Sequence, residues 1–290
     1  MLFDSENSSP TPQLVGGSYD AVLRQAGYSG RFCADFLNSS NPDAVASAVR
    51  RFVQVGCDAV VTNSLHANRL RLDGYGAGDR ATELAEAAVL VARRAVAGTQ
   101  VKVLGVLGPT GYVVMAGDTS PNRLEAAFAE AADALAWGGA DAIVLEGFGE
   151  LAEAQIALGA VRRVTQLPVI LTLSFSAAPD YTRSQLGNSP AQLALAARRG
   201  GATAVGAACG AGPDQLIAVC RELRENCDLP IYIRADAGIR FVGPDRQDAW
   251  PMEPAQFAAH GRELVDAGAN MVGGCCGTMP EHLQALRKMF

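Results

Sequence analysis

The chain has no unbroken apolar run of the roughly 18 residues that a membrane-crossing helix requires, and no run of basic residues that could track a phosphate backbone. Acidic and basic side chains are interspersed and the formal net charge is −6. These absences argue against a helical membrane span and against nucleic acid as a partner. The opening stretch MLFDSENSSPTPQL has no apolar centre of the kind an export signal carries. Residues 1–12 are therefore expected to be a flexible lead-in, residues 13–290 one domain, and the location cytoplasmic. Histidine is scarce, with 3 residues, and no two cysteines stand in the C-x2-C spacing of a structural zinc site. No G-x-G-x-x-G follows the first candidate strand, which weighs against a dinucleotide-binding open sheet.

What is present is a hydrophobic chain, 49% apolar and 19% charged over 290 residues, long enough for one large α/β barrel or two smaller domains. Short β-rich runs alternate with alanine-rich amphipathic stretches. The candidate strands are 13–15, 58–62, 101–106, 142–146, 168–173, 204–207, 231–234 and 271–272. Candidate helices fill 42–55, 82–97, 121–137, 150–164, 190–199, 213–225 and 254–267, several opening at a proline, as suits a first helical turn. The phrases VGCDAVV, GGADAIV, GGATAVG and AGANMVG each set a glycine before a strand, where a helix ends in the left-handed conformation. Eight strands with this repeated joint predict a closed (βα)8 TIM barrel. Active sites of that fold gather at the C-terminal ends of the strands. The residues to watch are then Gly16, Gly17, Asn63, Gly108, Glu146, Ser174, Cys209, Asp236, Cys275 and Cys276.

Seven cysteines, an odd number with two adjacent, do not read as a disulfide framework. Cys33, Cys57, Cys220 and Cys227 have no ligand spacing and read as small core residues. Cys275 and Cys276 follow the last strand between glycine pairs, and Cys209 follows the sixth in a Gly/Ala-rich turn. In a closed barrel these strand ends face one mouth. Three thiolates with a fourth position open form a catalytic zinc arrangement, because coordination keeps an incoming thiol ionised near neutral pH. His282 is expected at the start of the last helix rather than on the metal, and His66 and His260 at the surface or in a substrate pocket.

VGGCCGTMPEHLQAL and AVGAACGAGPDQL resemble the two zinc motifs of the homocysteine S-methyltransferase family, which includes the homocysteine-binding barrel of cobalamin-dependent methionine synthase and the betaine and S-methylmethionine enzymes. The likeness runs on through FLNSSNPDAVASAVRRFVQVGCDAVVTNSLHANRLRLDGYG, VLGVLGPTG, DAIVLEGFGELAEAQIAL and YIRADAGI. It implies a TIM barrel with zinc held by Cys209, Cys275 and Cys276 at its C-terminal mouth. It also implies a thiol acceptor steadied by Glu146, Asn63 and the Gly16–Gly17 loop, with the Glu146 carboxylate paired to a substrate ammonium.

The departures concern the acceptor. Val15-Gly16 stands where the family has Asp-Gly, Ala208 where an Asn precedes the first zinc cysteine, and Gly147 where a Thr follows the strand-end Glu. The segment P-N-A-G-L-P becomes Ala235-Asp236-Ala237-Gly238-Ile239-Arg240, which makes Asp236 and Arg240 candidates for an altered specificity. The expected activity is zinc-dependent methyl transfer to homocysteine or a related thiol. A small-molecule methyl donor or a methyl-corrinoid (methylcobalamin-type) group on a separate protein would supply the methyl, since no D-x-H-x-x-G occurs in the chain. The sequence leaves open a corrinoid-linked demethylase running in reverse, a non-catalytic zinc or thiol binder, a phosphate-binding barrel, and a homo-oligomer.

Overall fold

A computed structural model describes residues 11–28, 33–243 and 248–290. The expected lead-in 1–12 lies almost wholly outside the described residues. Strands β1 (Gln13–Gly16), β2 (Ala59–Val61), β3 (Lys102–Leu107), β4 (Ala142–Leu145), β5 (Val169–Leu173), β6 (Ala204–Ala208) and β7 (Ile231–Ala235) follow in chain order. A two-stranded antiparallel hairpin, β8 (Phe241–Val242) and β9 (Asp248–Ala249), separates them from β10 (Met271–Gly274). β1 to β7 and β10 pair in parallel around a closed ring, with β10 between β7 and β1. The strands are apolar on both faces, as a sheet enclosed by helices outside and packed side chains inside must be. The ring is the predicted TIM barrel.

Local chemistry explains the regularity. Among the described residues six helices open with proline, at Pro42, Pro121, Pro190, Pro213, Pro254 and Pro280, where the missing N–H has no partner to lose. At the four repeated joints, Gly56, Gly139, Gly201 and Gly268 all have φ between 72° and 108°. The polar residue two places on has a further task. Asp58, Asp141, Thr203 and Asn270 accept hydrogen bonds from the backbone N–H groups of Leu14, Val103, Val169 and Ile231, at 2.8, 2.7, 3.2 and 2.8 Å. Each even-numbered entry into the ring thus satisfies an N–H of the first or second residue of the preceding strand at the N-terminal face, the face given over to stability in this fold. No helix among the described residues is long and apolar enough to cross a membrane.

Candidate metal centre and acceptor cavity

The opposite face holds the chemistry. A cavity of about 690 Å³ is lined from the strand ends, by Gly17 after β1, Asn63 after β2, Glu146 after β4, Cys209 after β6, Asp236 after β7 and Cys275 after β10. Cys209 adopts φ 66°, a left-handed conformation that costs a side-chain-bearing residue energy and recurs at functional sites. Its carbonyl accepts the Ser174 hydroxyl at 3.2 Å, and its N–H donates to the Arg234 carbonyl at 3.2 Å. The loop after β10 turns back on itself. The Thr278 hydroxyl donates to the Cys275 carbonyl at 2.7 Å. Gly277 has φ 75°, and a Cβ there would lie 2.4 Å from Trp250, so only glycine fits this turn.

Ligand atoms of Cys209, Asp236, Cys275 and Cys276 all lie within 4.8 Å of one another, a group that could hold a metal ion. Cys209 and Cys275 meet Sγ to Sγ, with Cα atoms 5.8 Å apart. Cys276 is a free thiol. Three sulfurs within that span suit zinc, which in catalytic sites takes three protein ligands and leaves a fourth tetrahedral position open. Burial pushes the Cys276 thiol above its ordinary range and the Asp236 and Glu146 carboxylates push it further. Such a thiol ionises readily only beside a cation, which is what a bound dication supplies.

Asp236 ties the cysteine loops together. Its Oδ2 accepts the Gly210 N–H and its Oδ1 the Cys276 N–H, both at 3.0 Å. Burial lifts its carboxyl to about 7, against the pull of those two backbone donors. The sequence had suggested Asp236 as a specificity residue; the structure gives its side chain to the cysteine loops.

Glu146 is 4% exposed, and its Oε1 lies 4.0 Å from Cys209 Sγ and 3.8 Å from Cys275 Sγ. Its partner is within the chain. Arg234, buried at the end of β7, donates Nη1 to both Glu146 oxygens, at 2.7 and 2.6 Å. Burial is the largest single influence and would lower the Arg234 pKa, but Glu146, Tyr232 and Tyr19 together outweigh it and hold the guanidinium charged. Arg234 was absent from the sequence-derived candidates.

The remaining candidates are spread around the mouth. Gly17 lines the cavity and its carbonyl accepts from Arg234 Nη2. Gly16 does not join it: a Cβ on Gly16 would lie 2.7 Å from Phe52 Cβ and 2.8 Å from Cys57 Sγ, behind the barrel wall. The Asn63 amide donates to the Ala34 carbonyl at 2.8 Å and to Asn38 Oδ1 at 3.2 Å, holding the segment that follows the first helix. Arg240 is exposed at the rim. His66 also lines the cavity, its Nδ1 3.3 Å from Asp35 Oδ2, which in turn receives the Cys33 thiol at 3.4 Å. Cys33 therefore has polar company that its spacing did not reveal, whereas Cys57, Cys220 and Cys227 are buried thiols in the apolar core. His282 caps the last helix: its Nδ1 accepts the Met279 N–H at 3.1 Å and its Nε2 sits 2.9 Å from the Met252 carbonyl. His260 sits outside the cavity on the Pro254–Asp266 helix, 3.3 Å from Glu263.

Comparison with known proteins agrees with this architecture. The structure superposes on both the metallated and the oxidised forms of the homocysteine methyltransferase MmuM from Escherichia coli, each with a TM-score of 0.82 over the whole of both chains, at 19% and 18% identity. In sequence it is 29% identical to methionine synthase of Mycobacterium leprae and 30% identical to that of Mycobacterium tuberculosis, in each case over 260 residues. Those matches take in 87% of this chain but 22% of the length of each relative. The sequence profile of the homocysteine S-methyltransferase family matches residues 13–290, and the chain belongs to that family.

Proposed function

We propose that this chain is a zinc-dependent S-methyltransferase that activates a thiol, homocysteine or a relative of it, for methyl transfer. Cys209, Cys275 and Cys276 would hold the ion. The observation that carries the reading is the convergence of three sulfurs from two separate strand ends, with Asp236 between them, on the floor of one cavity. Bound zinc supplies the charge that keeps a substrate thiol ionised near neutral pH. The protein's own contribution is positional. Asp236 fixes the loops that carry Cys209 and Cys276 through the Gly210 and Cys276 N–H groups. The Glu146–Arg234 pair stands beside two of the sulfurs and keeps that side of the cavity filled and ordered. The methyl group would arrive from the open mouth, from a sulfonium compound or from a methyl-corrinoid on another protein.

Metal analysis tests this directly. The purified protein should carry about one zinc per chain, and Cys209→Ser, Cys275→Ser and Cys276→Ser should each remove most of it while leaving the far-ultraviolet circular dichroism unchanged. Folded variants that retain zinc would refute the ligand assignment. Single turnover of homocysteine with S-methylmethionine or free methylcobalamin then separates a transferase from a protein that merely binds metal.

A further inference from the structure

We infer that Arg234 permanently fills a cation subsite beside the cysteine cluster, so that the acceptor is a thiol carrying no ammonium group there. The inference rests on the thiol-activating reading above.

A guanidinium has five N–H donors, and all five are committed. Arg234 Nε donates to the Gly274 carbonyl at 3.0 Å. Nη2 donates to the Gly274 carbonyl at 2.8 Å and to the Gly17 carbonyl. Nη1 takes both oxygens of Glu146. One carboxylate and two strand-end carbonyls directed at a common point are what a primary ammonium, with three donors, would use. In this chain a side chain occupies that set. Arg234 is 2% exposed, and a substrate ammonium could displace it only by leaving a second buried charge without its partner.

Space for the arginine is built into the barrel. In register, Arg234 stands opposite Ala208 on β6 and Gly273 on β10, so neither neighbouring strand puts bulk beside it. The other carboxylates lining the cavity are also engaged. Asp236 receives the Gly210 and Cys276 N–H groups. Asp35 receives the His66 N–H at 2.9 Å and lies against the His66 ring, and Asp20 pairs with Arg24. Val15, at the end of β1, is fully buried and apolar. The cavity thus offers sulfur a place at the cysteines and offers an ammonium no unengaged buried carboxylate, Asp20 being exposed at its edge.

The test compares homocysteine with 4-mercaptobutyrate, which is homocysteine with its amino group replaced by hydrogen. Both are titrated into cobalt-loaded protein, and the sulfur-to-cobalt absorption band reports the sulfur entering the metal's coordination shell. A site that hydrogen-bonds a substrate N–H discriminates against the analogue lacking it by about 10⁴-fold or more, so here the two dissociation constants should differ by less than about tenfold, and a larger preference for homocysteine overturns the inference. Glu146→Gln should change both constants by the same factor; a loss confined to homocysteine overturns it. Arg234→Met uncovers Glu146 and should shift selectivity toward homocysteine by about tenfold or more; an unchanged ratio in folded protein overturns it. Should that variant not fold, Glu146→Gln carries the test. No band with any thiol would refute the thiol-activating reading, and this inference with it, whereas a band with strong homocysteine preference refutes the inference alone.

Discussion

Removing the Arg234 guanidinium should destabilise the barrel more than any loss of packing explains. Arg234→Met keeps a long apolar stem in the space between Ala208 and Gly273 but deletes five hydrogen bonds. Glu146 is then a buried carboxylate without a cation, and the Gly17 and Gly274 carbonyls lose their donors. Breaking one side of a buried ion pair costs about 3–5 kcal/mol, a large share of the roughly 5–15 kcal/mol that holds a domain folded. At about 2–4 °C per kcal/mol, the melting midpoint should fall by about 6–20 °C. Chemical denaturation with matched m-values and calorimetry would read both numbers. The decisive control is Arg234→Met with Glu146→Leu. It removes the charge as well as its partner and should recover about half or more of the loss, since buried pairs are often replaceable by apolar groups of similar size, while the Gly17 and Gly274 carbonyls stay without their donors. The reasoning is refuted if the single variant lies within about 1 kcal/mol of the parent, or if the double variant is no more stable than the single one.

Two further outcomes are expected. Gly159 sits in the exposed middle of the Leu151–Val164 helix, and a Cβ there would meet no atom within 4 Å; Gly159→Ala should therefore stabilise the fold by about 0.5–1 kcal/mol, measured as a rise in the denaturation midpoint. Burial raises the Glu153 carboxyl above its ordinary value, although Thr110 donates to it through both N–H and hydroxyl, at 2.8 and 2.6 Å. A carboxyl raised in the folded state holds its proton longer there than in the unfolded chain. Its contribution is complete below the unfolded value near 4.5 and is lost as pH rises through the folded value. Glu153→Gln should flatten that fall above pH 4.5 in stability measured across pH; an unchanged slope would show that Glu153 is not its source.

The periodicity of the chain carries most of the fold. The sequence intervals 121–137 and 150–164 reappear as helices Pro121–Trp137 and Leu151–Val164, because proline and glycine punctuate both ends of such segments. The short Arg69–Asp73 helix and the β8–β9 hairpin were not legible. Each is too short to show a period, and neither packs an apolar stripe long enough to betray its face. The repeated joints were half legible. Glycine announced the helix end, but the roles of Asp58, Asp141, Thr203 and Asn270 depend on which strand lies alongside, and only pairing in three dimensions reveals that.

The same limit divides the site. Cys275 and Cys276 are legible because two adjacent cysteines among glycines have no packing rationale in a strand-end turn. Cys209 becomes legible once the barrel places its strand end on the same mouth. Arg234 ends an ordinary apolar strand, and nothing local distinguishes it from an arginine reaching solvent. Its meaning lies in residues 88 and 217 positions away, Glu146 and Gly17. A cue exists one level above the sequence. In a closed parallel barrel, cross-strand neighbours in register project to the same side. Two small residues flanking a third position therefore leave a vacancy that only a large side chain from that position can fill. Ala208 and Gly273 make such a vacancy, and Arg234 fills it. Ala208 and Gly273 stand just before the cysteines of the two motifs, and on the proposal above they take part in acceptor selection. They admit the arginine that pairs with Glu146, so the altered acceptor proposed above would be written on three neighbouring strands rather than in the cysteine loops themselves.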